Sequence, residues 1–258
     1  MDEASSPVLT IEGPRATIRL NRPQLLNRLQ QDDLDTLMAQ MARIEADAGI
    51  RVLVLTGTGR AFSAGFDLKA IAARASAESD VRPQPSTGFE TVANRLENLD
   101  VPTICRLNGG VYGGSTDLAL ACDFRIGVEG CEMFMPAARL GLHYYRGGIE
   151  RYVSRLGVDH AKRLFLTAEK IDAQEMLRIG YLTALVAPDR LDAEVARLAG
   201  VLAGNAPNAM RGMKQAINEF ARGALDGDAA EQRHRDSLTG TEIREGSAAF
   251  AQKRKPRF

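Results

Sequence analysis

The chain has 258 residues, with 33 Lys and Arg against 33 Asp and Glu and therefore no formal charge. That length allows one large domain or two small ones with an ample core, and 45% hydrophobic with 26% charged residues excludes a disordered or fibrous chain. Neutral balance argues against bulk attraction to nucleic acid or anionic lipid, and no apolar run approaches the ~18 residues of a spanning helix. Residues 1–14 are acidic and lack an apolar h-region, so no signal peptide and a cytoplasmic location are expected. Cys105, Cys122 and Cys131 are odd in number and never spaced as CxxC, which predicts three reduced thiols and neither a zinc site nor a disulfide framework.

Residues 8–11 and 16–20 read as strands joined by the turn-rich trio Glu12-Gly13-Pro14. After Asn21-Arg22-Pro23, apolar positions at Leu34, Leu37, Met38, Met41 and Ile44 have helical spacing. Asp32 and Asp33 stand in the first turn, where the helix dipole favours acids, and Gly49 ends the run. Residues 51–56, rich in valine and leucine, read as a strand buried on both faces. A loop with Gly57, Gly59 and Gly65 leads to a helical stretch near 68–75, then a polar, proline-containing loop over 76–88 and a helix over 89–99. Thr103–Leu107 is the next strand, 108–114 a tight glycine-rich turn, Ser115–Ala121 a short apolar helix and Phe124–Val128 a further strand. Strands alternating with helices imply right-handed crossovers and a mainly parallel sheet. From about Gly147 the strand signal nearly vanishes, and 149–156, 160–167, 173–179, 191–203, 209–224 and 229–252 read as helices. No internal repeat stands out.

Two glycine turns carry chemistry. Residues 60–69 and 108–117 each take the chain from a strand through glycines into a helix. Such turns expose unpaired N–H groups at a helix N-terminus, a ready anion site. One donor from each could together hold a single developing oxyanion, which is what enolate chemistry needs. The plainer alternative, that the glycines only make sharp strand-to-helix turns, stays open on pattern alone.

Asn21-Arg22-Pro23, the run Phe62-Ser63-Ala64-Gly65-Phe66-Asp67-Leu68-Lys69, and Asn108-Gly109 through Gly113-Gly114 to Cys122-Asp123 resemble the crotonase family of enoyl-CoA hydratases and isomerases. The resemblance runs nearly end to end, through Leu140-Gly141-Leu142, Thr167-Ala168, residues 173–180, Pro207-Asn208-Ala209 with Lys214, and 245–250. It implies an α/β fold: a crotonase-like spiral of ββα units over residues 1–200, with a C-terminal helical oligomerisation region over 201–258, assembled as a homotrimer or homohexamer. It also implies a coenzyme A thioester substrate, with no cofactor beyond that coenzyme A moiety, no metal, no nucleic acid and no membrane. The backbone N–H groups of Phe66 and Gly114 would form the oxyanion hole, one such donor being worth ~3–4 kcal/mol of barrier. Ala64, Phe66, Asp67, Leu68, Lys69 and Gly114 would lie along the coenzyme A, as would Leu25 and Leu26 beside Gln24. Lys214 would add a contact from the C-terminal region, unless it sits on a solvated helix face.

Two positions depart from a hydratase. A two-glutamate hydratase holds water between two carboxylates; here the first position carries Asp117, a methylene shorter, and the second falls on Ala137. Alanine cannot transfer a proton, so standard two-acid hydration is not expected. In its place stands the cluster Leu140-Gly141-Leu142-His143-Tyr144-Tyr145-Arg146-Gly147-Gly148, in a loop where relatives carry catalytic groups. Tyr144 matches the tyrosine of the methylmalonyl-CoA decarboxylase type. His143 has the side-chain pKa nearest neutrality and could act as acid or base, or simply pack in its loop. Tyr144 and Tyr145 could each wall the acyl pocket, the expected role of at least one; Arg146 could clamp a substrate carboxylate or join a subunit contact; and Asp117, beside the oxyanion turn, is the acid/base candidate or else a first-turn acid favoured by the helix dipole.

Other signals lead nowhere. Gly57-x-Gly59 lacks the third glycine of a dinucleotide fingerprint, and Ala61-x-Ser63-x-Gly65 is a near miss for a serine-hydrolase elbow with no partner histidine. Residues 253–257 are a basic tail. The expectation is therefore an acyl-CoA enzyme that stabilises a thioester enolate and favours isomerisation or another proton transfer over two-glutamate hydration. Its alternatives are a methylmalonyl-CoA-type decarboxylase and a non-catalytic acyl-CoA-binding protein.

Overall fold

Val52 to Gly57 form a strand in which every residue is buried, and its alternation divides two cores. Leu53 and Leu55 face the larger apolar cluster, while Val52 and Val54 face a smaller one completed by Ile104, Ile126, Leu191, Val195 and Leu202. Period-two alternation of β-branched and leucine side chains gives a strand two apolar faces, so it belongs inside a parallel sheet. The computed structural model describes residues 6–68 and 88–258. The helix expected near 68–75 beyond its first residue, the loop over 76–88 up to its last, and Lys69 lie outside those residues.

Two sheets make the framework. β1 (Val8–Glu12) and β2 (Arg15–Leu20) form an antiparallel hairpin, and β2 then pairs in parallel with β3 (Val52–Gly57). β5 (Thr103–Leu107), β7 (Phe124–Val128) and β10 (Ala184–Val186) complete a six-stranded sheet in the order β1-β2-β3-β5-β7-β10. The second sheet has four short strands, β4 (Ala61–Ser63), β6 (Gly110–Tyr112), β8 (Glu132–Phe134) and β9 (Lys170–Asp172). Three times in succession the chain lays a strand in the large sheet and the next in the small one: β3 then β4, β5 then β6, β7 then β8. This is the expected spiral of strand pairs. Residue patterns alone gave no sign of the second sheet, because strands of three residues are too short to show a period.

Helices cover the sheets. α1 is Gln31–Ala46, opened by a capping box between Gln30 and Asp33, and α2 is Phe89–Glu97. α3 (Ser115–Ala121) is buried at every position, and α4 runs from Arg146 to Leu156. Later come α5 (Val158–Lys162), α6 (Ala173–Arg178), α7 (Leu191–Gly204), α8 (Pro207–Ala221), α9 (Gly227–Thr239) and α10 (Thr241–Ala251). Two expectations for the second half need correcting. β9 and β10 are strands, lying between the expected helices in a region where the strand signal nearly vanishes, and the helix expected over 229–252 is two helices. Gly240 separates them with φ −68° and ψ 172°, an extended conformation that no helix continues through. Cys105, Cys122 and Cys131 are all buried and unpaired, and no helix among the described residues is long and apolar enough to cross a membrane.

Candidate active site

The two glycine turns meet. Gly65 has φ +88°, and a Cβ there would stand 2.7 Å from the Tyr112 carbonyl oxygen and 3.1 Å from the Gly114 nitrogen. Only glycine allows that backbone approach without strain. Beneath the turns, Ser115 Oγ donates to Ser63 Oγ at 2.7 Å, Ser63 Oγ donates to the Asn27 carbonyl at 2.7 Å, and the Gly65 N–H donates to Ser63 Oγ at 3.1 Å. Asn27, itself left-handed at φ 55°, sends its side-chain amide to the Thr58 and Ala61 carbonyls, both at 2.9 Å. Ser63 is thus a fully buried tie between turns, which leaves it no role as a nucleophile. Among the described residues, the N–H groups of Phe66 and Gly114 donate no hydrogen bond to a backbone acceptor.

Both residues line a cavity of about 710 Å³. Leu26, Leu34, Ala64, Leu68, Met135, Ala137, Leu140 and Leu142 give it aliphatic walls. Phe66, Phe89, Tyr112, Phe134, Tyr144 and Tyr145 add aromatic ones. Phe89 packs edge-on to Phe66 with centroids 6.2 Å apart and tilts against Tyr145 at 6.4 Å, while Tyr144 and Tyr145 stack at 4.3 Å. No carboxylate and no Lys or Arg among the described residues lines this space. The Tyr112 hydroxyl donates to Glu132 at 2.9 Å, and burial, with that carboxylate, pushes its pKa up to about 12. Among the described residues, no group of three or more His, Cys, Asp or Glu side chains could hold a metal ion.

Asp117 lies behind the wall. Its side chain is fully buried, and Arg151, 1% exposed, grips it with Nε on Oδ1 at 2.9 Å and a terminal nitrogen on Oδ2 at 2.6 Å. The Tyr145 hydroxyl donates to the same Oδ2 at 2.6 Å, and the Tyr144 hydroxyl donates to that of Tyr145 at 3.3 Å. Arg151 also reaches Asn94 at 2.8 Å and Glu97 at 3.2 Å, and Glu97 in turn holds Arg155 and Arg222. Burial works against the Arg151 cation, but the hydrogen-bonded Asp117 carboxylate more than offsets it and raises its pKa. Burial, then the Asp117 charge, raise that of Tyr145 well above the ordinary phenol value, so it stays protonated. Burial does the same to Tyr144.

The other candidates divide. Tyr144, His143, Ala64, Leu26 and Leu68 line the cavity, and His143 is exposed with Nδ1 2.8 Å from the Tyr144 carbonyl oxygen. Arg146 does not: its side chain is 87% exposed and paired with Glu150 one helical turn on, so in this subunit it clamps nothing in the cavity. Leu25 is exposed and outside the lining, and Asp67 pairs with Arg28. Lys214 is neither a cavity contact nor on a solvated face. Its Nζ donates to the Val101 carbonyl at 2.9 Å and meets Asp123 at 2.9 Å, fastening α8 to the start of β5. Arg151 and Glu97 escaped sequence reasoning. The signal for Arg151 was its phase: on α4 the buried positions are 147, 148, 151, 152 and 156, so a cation takes a place on the apolar face.

Comparison with known proteins agrees with this architecture. The enoyl-CoA hydratase/isomerase family model matches residues 11–258. The chain belongs to that family. It is 32% identical to the short-chain-enoyl-CoA hydratase of Clostridium acetobutylicum, covering 98% of this chain and 97% of that one. It is 34% identical to the 2,3-dehydroadipyl-CoA hydratase of Escherichia coli, with 93% of each covered. The crystal structure of an enoyl-CoA hydratase from Bacillus anthracis superposes with a TM-score of 0.87 at 30% identity over 98% of both chains. The fold is therefore the crotonase fold, and the protein is an enoyl-CoA hydratase/isomerase family enzyme.

Proposed function

We propose that this family member binds a coenzyme A thioester and forms its enolate between the backbone N–H groups of Phe66 and Gly114. Its reaction is an isomerisation or another proton transfer. The observation that carries this reading is the junction of the two glycine turns on the wall of an apolar cavity, where among the described residues neither N–H group donates to a backbone acceptor. Donors fixed before the charge develops need no reorganisation when it does. Relatives bear hydratase names, but two-carboxylate hydration has little support in a cavity lined by Ala137 and, among the described residues, by no acid. The decarboxylase alternative loses its proposed cation, since Arg146 faces solvent. The acyl group that suits these walls is uncharged and bulky, because aliphatic and aromatic side chains bind by burial.

Residues 1–200 serve in this reading as the catalytic core and 201–258 as the oligomerisation region of a cytoplasmic homotrimer or homohexamer. Exposed Met213, Ile217 and Phe220 on α8 support self-association, and three unpaired thiols fit a reducing compartment. The test is hydrogen–deuterium exchange at the α- and γ-carbons of saturated, 2-enoyl, 3-enoyl and methylmalonyl thioesters in D2O, with mass spectrometry also scoring hydration, decarboxylation and free coenzyme A. Exchange or double-bond migration without net hydration is expected. Robust hydration of crotonyl-CoA would refute the argument from Ala137, and tight binding without exchange on any ester would refute the enolate.

A further inference from the structure

An acid/base group has to reach the carbon it serves, directly or through one bridging hydroxyl or water. Asp117 does not line the cavity and is fully buried, with Arg151 on both oxygens. What stands between it and the cavity is Tyr145, a cavity-lining residue whose hydroxyl is bonded to Asp117 Oδ2 at 2.6 Å. Tyr145 shares a wall with the Phe66 and Gly114 N–H groups: Phe89 touches Tyr145 and Phe66, and a Cβ on Gly114 would meet the Phe89 ring at 3.0 Å.

Resting on the enolate reading, we infer that Asp117 acts on the thioester only through Tyr145, whose hydroxyl oxygen takes the α-proton while its own proton passes to Asp117 Oδ2. The α-C–H bond breaks and its electron pair moves onto the carbonyl oxygen between Phe66 and Gly114. A new O–H bond forms on Tyr145, the old one breaks, and Asp117 becomes a carboxylic acid still held at Oδ1 by Arg151. Reversal returns a proton to the α-carbon or, in an isomerisation, to the γ-carbon. The two transfers are concerted, because a free phenolate beside a buried carboxylate is opposed by the burial and charge that already keep Tyr145 protonated. Tyr145 is the catalytic residue here, Asp117 the acceptor behind it, and Tyr144, bonded to the Tyr145 hydroxyl at 3.3 Å, orients it.

The test is Tyr145→Phe, which keeps the ring against Phe89 and leaves the Asp117–Arg151 pair in place. The readouts are deuterium exchange at the α-carbon of a saturated acyl-CoA, affinity for the same ester, and the proton inventory of the parent enzyme in H2O–D2O mixtures. Exchange should fall by at least ~100-fold, the low end of what acid–base groups contribute, with affinity within about threefold of the parent; that affinity margin is our order-of-magnitude criterion for intact binding. The inventory should be linear with a normal solvent isotope effect, because the α-proton is carbon-bound and only the Tyr145 hydroxyl proton in flight exchanges with solvent. Exchange within about threefold of the parent would show that another group takes the proton, and a matching loss of affinity would make Tyr145 a binding residue. A solvent isotope effect of unity on α-proton abstraction would overturn the concerted relay. If the parent exchanges no ester, the enolate reading itself fails, and that result is read on the parent alone.

Discussion

Replacing Arg151 by methionine tests the electrostatic account of the site. The variant keeps a long apolar stem but removes four hydrogen bonds, two to Asp117, one to Asn94 and one to Glu97. Glu97 keeps Arg155 at 3.1 Å and Arg222 at 3.0 Å, so its charge stays paired. Among the described residues, the side chain of Asp117 is left with the Tyr145 hydroxyl. Removing one partner of a buried ion pair costs about 3–5 kcal/mol, mostly because a charge stays in the interior without its counterion. For a chain of this length, at roughly 2.1 cal/mol/K of unfolding entropy per residue, that lowers the melting temperature by about 6–9 °C. Thermal unfolding at fixed protein concentration and neutral pH is the assay. Adding Asp117→Asn to Arg151→Met should recover more than half of the deficit, since the orphaned charge is then gone. A single variant within about 2 °C of the parent, roughly 1 kcal/mol on the same scale, or a double variant no better than the single, would refute the reasoning.

Two further outcomes follow from geometry already described. Gly65→Ala forces a Cβ into the left-handed region and to 2.7 Å from a backbone oxygen, neither of which can be relieved by a side chain moving; about 1–3 kcal/mol of stability should be lost with α-proton exchange, measured by denaturation and by deuterium uptake. Glu245, hydrogen-bonded by Arg254 and by the Arg257 N–H, should titrate at about 2 rather than 4.5. A depressed folded pKa contributes stability that is present above the unfolded value and lost as the pH falls from about 4.5 towards 2. Carbon-13 detection of its carboxylate checks this, and a midpoint near 4.5 would mean the contact is not kept in solution.

The parts of this molecule that repeat a simple physical rule were readable in advance. Val52 to Thr56 announce a doubly buried strand, the Gly65 and Gly113-Gly114 stretches announce sharp strand-to-helix turns, and Ala137 announces a missing acid. What could not be read was pairing across long separations. Arg151 meets Asp117 from 34 positions away, and Lys214 turns inward to Val101 from 113; a charge on a helix does not declare its partner. Loop residues posed a different difficulty. His143, Tyr144, Tyr145 and Arg146 are consecutive, yet the first three line the cavity and the fourth faces water as α4 begins. Only the path of the backbone decides which of four neighbours looks inward.

The hydroxyl contact between Ser63 and Ser115 has a consequence for how such a protein can change. It pins the end of β4 to the start of α3 from below, so the separation of the Phe66 and Gly114 amides is gauged by two small side chains that touch no part of the cavity. The walls at Leu140, Leu142 and His143 belong to a different stretch of chain with no share in that fastening. Selection can therefore recut the chamber for a new acyl group, residue by residue, while the Phe66 and Gly114 amides keep their spacing.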